Sequence, residues 1–241
     1  MRRQFQLLIT SVLLILSLTT GCVMQQGLSL TEDQSGWATV DLSVYDFFST
    51  ILEDFAPFDE DMADTSVIEQ SVDDFVVQLD NAPSTSEASA MKIKDNSYFI
   101  DFTFSSLNGI LNDLANQNQQ TLLTVKESKN STRLEFYLDL DNYPQLTEIV
   151  PFLADENFET FGPLYNQGMN EADYLEMISY ILGEEGPDAI RESVISLRLT
   201  APDPIESYEG GILEDDTTIR FDIPLIDILL LAEPITFYAQ W

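Results

Sequence analysis

Six stretches of the chain alternate apolar and polar residues with a period of two, and this pattern limits the fold more than any other feature. Successive side chains of a β-strand point to opposite faces, so each stretch predicts a strand with one buried and one exposed face. The six stretches are 37–45, 98–104, 134–140, 195–200, 219–223 and 235–241. One dry face and one wet face are typical of antiparallel sheets, because parallel strands are usually covered on both sides.

Shorter apolar runs are expected to extend the sheet by pairing with a neighbouring stretch. Three such pairs are predicted: 27–31 with 37–45, 91–94 with 98–104, and 122–126 with 134–140. Turn-forming residues separate the members of each pair, as in a hairpin. The segment 81–89, which reads NAPSTSEAS, is predicted to be a loop.

Helical spacing fills the intervals between the strands. Ser66 followed by Glu69 is a capping-box pattern, and it begins an apolar helical face that runs to Leu79. Asn170 begins a second helix, which Gly183 is expected to end. Three shorter apolar faces predict helices within 48–55, 107–114 and 146–150. We therefore predict an α+β fold: a single domain over residues 27–241, with a curved antiparallel sheet and helices packed on one face.

The first residues have the features of a secretory signal. Arg2 and Arg3 are followed by an apolar stretch over residues 7–18 and then by small residues. This stretch is short for a transmembrane helix, which needs about 20 residues. A secreted or exported protein is therefore expected.

The end of this signal, Leu18-Thr19-Thr20-Gly21-Cys22, resembles a bacterial lipobox. The resemblance implies that residues 1–21 are a removable signal peptide, that Cys22 becomes the acylated N-terminus, and that residues 22–26 form a short tether. Two or more acyl chains give stable attachment to a membrane. The implied location is the bacterial cell envelope, outside the cytoplasm, with the choice of membrane left open.

Charge and composition exclude several classes of function. The chain has 42 Asp and Glu against 10 Lys and Arg, no His and one Cys, with a formal net charge of −32. Nucleic-acid binding needs basic side chains that neutralise phosphates, so it is excluded. Without His, a His-based triad and the usual zinc sites are excluded as well. No catalytic residue, metal site or cofactor is predicted.

The acidic run 54–64 has two readings. Asp59, Asp61 and Asp64 are spaced as in a calcium loop, but the turn-forming Gly and the distal Glu of such loops are missing. A solvated acidic loop is therefore expected in preference to a cation site.

Six aromatic residues fall on the predicted dry faces of strands, where they form either a hydrophobic ligand pocket or an ordinary core. These residues are Phe102, Phe104, Phe136, Phe221, Phe237 and Trp241. A pocket lined in this way would suit an acyl chain. The sequence does not decide between pocket and core.

Beyond the lipobox, the two ends of the chain are similar to the LppM-type domain of bacterial lipoproteins. The matching features are the junction Gly21-Cys22-Val23, the strand–turn–strand 28–44 around Gly36, and the late strand 196–202 followed by Ile205 and Gly210-Gly211. The resemblance implies an α+β fold with a strongly curved sheet and a role in binding envelope lipids or glycolipids. It supplies no catalytic residues.

The expected function is that of a non-enzymatic, lipid-anchored envelope lipoprotein that binds a lipid-like or other hydrophobic ligand, or an envelope protein partner. The main alternative is a carboxylate-dependent hydrolase acting on cell-wall or imported glycans, which needs two carboxyls about 5–10 Å apart. A third reading is an assembly subunit that shows an apolar patch to a partner.

Overall fold

The computed structural model describes residues 23–46, 49, 66–115, 120–149 and 160–241, which form eleven strands and six helices. The strands are β1 (Val23–Leu30), β2 (Gly36–Ser43), β3 (Thr85–Lys94), β4 (Ser97–Phe104), β5 (Leu123–Glu127), β6 (Thr132–Leu138), β7 (Val194–Thr200), β8 (Ser207–Glu209), β9 (Ile212–Leu213), β10 (Thr218–Pro224) and β11 (Ile235–Gln240). The helices are α1 (Val67–Asn81), α2 (Leu107–Leu114), α3 (Tyr143–Ile149), α4 (Glu171–Leu182), α5 (Gly186–Glu192) and α6 (Leu225–Leu230).

The strands are arranged in two sheets. Sheet A has the order β3-β4-β2-β1-β7-β10-β9, and sheet B has the order β5-β6-β11-β8. The predicted α+β class and single folded domain are confirmed. Two details differ from the prediction of one antiparallel sheet, because the strands divide into two sheets and β1 pairs with β7 in parallel.

Sheet A begins at once after Cys22, at the position where a short tether was predicted. Residues 23–26 lie in β1, where Val23 is paired with Ser43 on one side and with Val194 on the other. Met24 packs against the core. The two glutamines that follow interrupt the apolar alternation, which is why this part of the strand resembles a polar spacer in the sequence.

The predicted loop 81–89 also differs, because Thr85 begins β3. The polar side chains in this stretch make cross-strand hydrogen bonds to β4. The Ser86 and Thr103 hydroxyls lie 2.9 Å apart, and the Ser89 hydroxyl donates to Asp101 at 2.6 Å. The register shifts between Ser86 and Ser89, so a bulge breaks the alternation that would have marked the strand.

The main helix boundaries confirm the capping predictions. The Ser66 hydroxyl accepts a hydrogen bond from the backbone N–H of Glu69, and the Asn170 side chain accepts one from Asp173. Gly183 ends α4 with a φ of 81°, a backbone conformation that favours glycine. Of the predicted helix at 48–55, only Ser49 is described, and both Cys22 and the acidic run 54–64 lie outside the described residues.

The hydrophobic residues form one large core and one smaller cluster. The large core contains the dry faces of both sheets together with α1 and α2. The smaller cluster joins α4, α5 and α6 around the fully buried side chains of Tyr174 and Ile178. The Tyr174 hydroxyl donates to the Phe161 carbonyl at 3.0 Å, and burial raises the pKa of this tyrosine.

Candidate ligand-binding cleft

Three phenylalanines form a stack that connects the two sheets. The ring of Phe221 in β10 lies 4.1 Å from that of Phe237 in β11, with 18° between the ring planes. Phe136 is the cross-strand partner of Phe237 and stacks on it at 4.7 Å and 10°. Phe221 and Phe237 are only 1% and 4% exposed, whereas Phe136 is half-buried. The stack therefore joins sheet A to sheet B through aromatic contact.

Two glycines pass close to this stack where the chain crosses from sheet B to sheet A. Gly210 and Gly211 connect β8 with β9. A Cβ atom on Gly211 would lie 2.6 Å from the Phe221 ring, and one on Gly210 would lie 2.9 Å from the Phe237 Cβ. Only glycine fits at this approach without displacing the rings.

A cleft of about 530 Å³ lies beside the stack, open to solvent on one side. Its walls come from the end of β10, from α6 with the loop that follows it, and from the start of β11. The apolar side chains among its lining residues are Phe221, Ile223, Pro224, Leu230, Ala232, Pro234, Ile235 and Phe237. This volume is within the range of small-molecule sites, about 300–1,000 Å³.

Three exposed carboxylates, on Asp222, Asp227 and Glu233, also line the cleft. Asp222 is held by a 2.6 Å hydrogen bond from the Ser196 hydroxyl and by the Arg220 guanidinium at 3.1 Å. The side-chain carboxylates of Asp227 and Glu233 make no hydrogen bond or ion pair with any residue that the structure describes. The cleft thus combines a hydrocarbon floor with two unpaired acids.

The carboxyl of Asp227 has an altered acidity. Partial burial beside the cleft raises its pKa, and the negative charge of Glu171 on α4 raises it further. Both causes disfavour the ionised form of the group. A cation placed beside Asp227 would relieve them.

The cleft lies at the same end of sheet A as Val23. Pro224, in the cleft wall, is the partner of Val194, and Val194 is the partner of Val23. Strands in a sheet are about 4.8 Å apart, so Pro224 and Val23 are separated by about 10 Å. The cleft is therefore near the residue that follows Cys22.

The structure brings together three of the six aromatic residues for which the sequence left a ligand pocket or an ordinary core open. Phe221 and Phe237 line the cleft, and Phe136 stacks behind them. Phe102 and Phe104 lie on β4 in the main core, and their ring centroids are 6.5 Å apart. Three strands, β2, β1 and β7, separate β4 from β10 in sheet A. Trp241 is buried beyond β11, where its backbone pairs with Thr132.

Sequence reasoning did not single out the acids of the cleft. Asp227 and Glu233 are two of 42 acidic residues and belong to no motif. One signal was available, because the alternating strand 219–223 runs directly into an apolar helical turn. That junction is the β10–α6 corner in the cleft wall.

The described part of the chain contains neither a cluster of metal-ligating side chains nor a helix that could span a membrane. Its Asp and Glu residues form no group of three or more with an arrangement suited to a metal ion. None of its helices is both long enough and apolar enough to cross a membrane.

Comparison with known proteins finds similarity among solved structures. No family model matches the chain, and no curated protein matches it. The folded domain of LppM from Mycobacterium tuberculosis, solved by NMR, is similar over 91% of this chain and 88% of that domain, with 13% sequence identity and a TM-score of 0.40. A similarity at this level assigns neither a family nor a function to the chain.

Proposed function

We propose that the chain is a non-enzymatic lipoprotein of the bacterial cell envelope, anchored through acylated Cys22, which binds an apolar ligand in the cleft between β10, α6 and β11. The observation that carries this proposal is the short separation between the cleft and the predicted anchor. Pro224 and Val23 are two strands apart, and Val23 directly follows Cys22.

The absence of a tether supports a position at the membrane surface. Val23 is already paired with strands on both sides, so an acylated Cys22 would hold this end of sheet A against the bilayer. A ligand that leaves the membrane next to the anchor would meet the cleft within about 10 Å. An apolar ligand has low solubility in water and gains from such a short path.

The lining of the cleft supports an apolar ligand. Ala232 and Pro234 are exposed and Leu230 and Ile235 half-buried, so these four lining residues present apolar surface beside the buried stack. Removing apolar surface from water contributes about 25 cal/mol per Å². A ligand that covers this floor would therefore be bound mainly by the hydrophobic effect.

Native mass spectrometry tests ligand binding directly. The whole mature polypeptide, carrying Cys22→Ser so that it stays unacylated, would be exposed to a total bacterial lipid extract. We expect a discrete adduct that is lost on denaturation. Ala232→Trp, which fills the cleft from an exposed position, should abolish the adduct, whereas Ala90→Trp on exposed β3 should retain it. An adduct that survives Ala232→Trp would contradict the assignment of the cleft.

The anchor needs its own test. Cys22→Ala should leave the precursor uncleaved and unlabelled by radioactive palmitate in cells, because the thiol that accepts the acyl chain is gone. Continued labelling of this variant would refute the anchor at Cys22. If the protein is not labelled but still binds ligand in the cleft, the proposed binding function stands and the proposed membrane location does not.

A carboxylate-dependent hydrolase acting on cell-wall or imported glycans is the second candidate, and the raised pKa of Asp227 favours it. A general acid must keep its proton near the working pH, and a second carboxylate, Asp222 or Glu233, would act as base or nucleophile. It ranks second because, among the described residues that line the cleft, only Thr236 has a hydroxyl or amide side chain that can donate a hydrogen bond, whereas glycans present many hydroxyls.

An activity assay separates the two candidates. Purified protein would be incubated with peptidoglycan fragments and with nitrophenyl glycosides, beside Asp227→Asn as the matched variant. Product released by the wild type and lost in the variant would establish the hydrolase. Equal, background-level release from both proteins is the result expected of a binding protein.

A further inference from the structure

The charge around the cleft is unbalanced, and the imbalance is local. The segment that forms most of the lining, residues 221–237, contains three acidic residues and no Lys or Arg. The nearest basic side chain, Arg220, is committed to Glu214 at 3.3 Å and to Asp222 at 3.1 Å. Asp222 is thereby neutralised, which leaves Asp227 and Glu233 as the uncompensated charges.

The surroundings of Asp227 add to this negative potential. Glu171 on α4 raises the pKa of Asp227 electrostatically, even though Glu171 is itself paired with the Arg191 guanidinium at 3.4 Å. A bound anion would meet carboxylates at the rim of the cleft, and a neutral ligand would leave them unpaired. A cation would be attracted by both carboxylates, because charge complementarity at a partly desolvated site favours a ligand of opposite charge.

Building on the proposed binding function, we infer that the ligand is a small cationic amphiphile. Its apolar group covers Leu230, Pro234 and Ile235, and its ammonium or guanidinium lies beside the cleft-lining carboxylates of Asp227 and Glu233. The volume of about 530 Å³ suits a small molecule. The accessible apolar lining accounts for affinity, and the two acids account for the choice of head group.

Three probes that share an eight-carbon chain test this inference: octylammonium, octanol and octanoate. Binding to the unacylated mature polypeptide would be measured by calorimetry at physiological salt. We expect saturable binding of octylammonium about tenfold tighter than that of octanol, because two partly exposed ion pairs of about 0.7 kcal/mol each correspond to one factor of ten. Octanoate should bind more weakly than octanol.

A matched pair of variants separates the cleft from the net charge of the whole chain. Asp227→Asn/Glu233→Gln removes the two acids of the cleft. Asp73→Asn/Asp74→Asn removes two exposed acids from α1, which packs against β3 and β4 in the other half of sheet A. We expect the first pair to reduce octylammonium affinity to that of octanol, and the second pair to leave the preference intact.

The failures are distinguishable. Equal affinity for octylammonium and octanol, or an equal loss in both double variants, would overturn the cationic ligand and leave the apolar cleft in place. No binding of any probe would overturn the proposed binding function together with this inference. All four exchanged residues are exposed, and thermal melts would confirm that each variant is folded.

Discussion

Phe221 and Phe237 lie face to face at 4.1 Å although they belong to different sheets. Phe221 is on β10 of sheet A, and Phe237 is on β11 of sheet B. α6 and a short loop are all that separate the two strands along the chain. The same contact therefore packs the two sheets against each other beside the cleft.

Truncation of this stack should destabilise the protein strongly. Phe237→Ala removes a buried ring that packs between two others, and such changes cost about 3–5 kcal/mol. Phe136→Ala should cost less, because Phe136 is half-buried and stacks on one side. Urea unfolding of both variants measures the difference. A loss at Phe136 that equals the loss at Phe237 would show that the central ring has no special role.

Gly210, between β8 and β9, can be compared with Gly168, which has nearly the same φ. Gly210 has a φ of 78° and Gly168 a φ of 79°, but a Cβ on Gly210 would meet Phe237, whereas one on Gly168 would meet nothing within 4 Å. Alanine at Gly168 should cost about 1 kcal/mol for the positive φ alone. Gly210→Ala should cost a further 1–3 kcal/mol or so, because the new methyl group would press on the Phe237 Cβ and the Thr236 carbonyl, and β11 must shift to make room. Equal losses in thermal unfolding would show that the Phe237 contact relaxes freely.

The period-two pattern predicted most strands but not their partners. The dry faces of β4 and β10 are buried as the alternation indicates. Alternation defines which face is buried, and it carries no information on pairing between strands distant in sequence. The parallel pairing of β1 with β7 and the division into two sheets are of this kind.

Local motifs were predicted in part for a similar reason. The Ser66 cap is present, but the Glu69 carboxylate does not complete a capping box, in which it would accept from the backbone at the start of the helix. It pairs with Lys92 at 2.7 Å and accepts from the Tyr98 hydroxyl. The cleft depends on tertiary structure to a greater degree. Asp227 and Glu233 become distinctive only because β11 returns beside β10 and places them around one concavity.

Glu214 bridges two arginines that face each other across sheet A. Arg198 and Arg220 are register partners on β7 and β10, and Glu214 accepts from Arg198 at 2.6 Å and from Arg220 at 3.3 Å. Glu214→Gln should cost about 1 kcal/mol, since it weakens two surface pairs and exposes a like-charge pair. Urea unfolding should show that this loss of stability is smaller in 1 M salt, because the Debye length is only about 3 Å at that salt concentration and the charges are screened. Adding Arg198→Gln should recover stability, and a further loss would refute the bridging role.

Asp33, in the β1–β2 turn, should make the stability of the fold depend on pH in the acidic range. Hydroxyl donors on Thr31, first, and Ser35 lower the pKa of Asp33 to about 2. A lowered folded-state pKa stabilises the fold above the unfolded value of about 3.9, and this contribution is lost as the pH falls towards 2. The wild type should therefore melt at a higher temperature than Asp33→Asn, and this difference should have its largest value above pH 5 or so. It should decrease and disappear as the pH falls from about 4 to 2.

The neighbouring Glu32 provides the control for this turn. It is exposed and makes no hydrogen bond to a described residue, so Glu32→Gln removes the same charge without removing an acceptor. Its melting-temperature difference should stay small across the range. A gap for Asp33→Asn that persists unchanged down to pH 2 would contradict the hydrogen-bond origin of the low pKa.

If Cys22 carries the proposed acyl anchor, its position directly before β1 predicts a defined orientation on the membrane. Asp95, in the β3–β4 turn, lies at the Val23 end of sheet A, since Ser97 pairs with Ser43 and Ser43 pairs with Val23. Glu32, in the β1–β2 turn, lies at the opposite end, about 26 Å away along strands of eight residues. Acylation would occupy Cys22, so Asp95→Cys or Glu32→Cys would each supply one free thiol for a fluorescent label. On vesicles that carry a lipid-borne quencher, the label at 95 should be quenched and the label at 32 should not. A long Gly-Ser linker inserted after Cys22 should abolish the difference, and equal quenching without the linker would refute the fixed orientation.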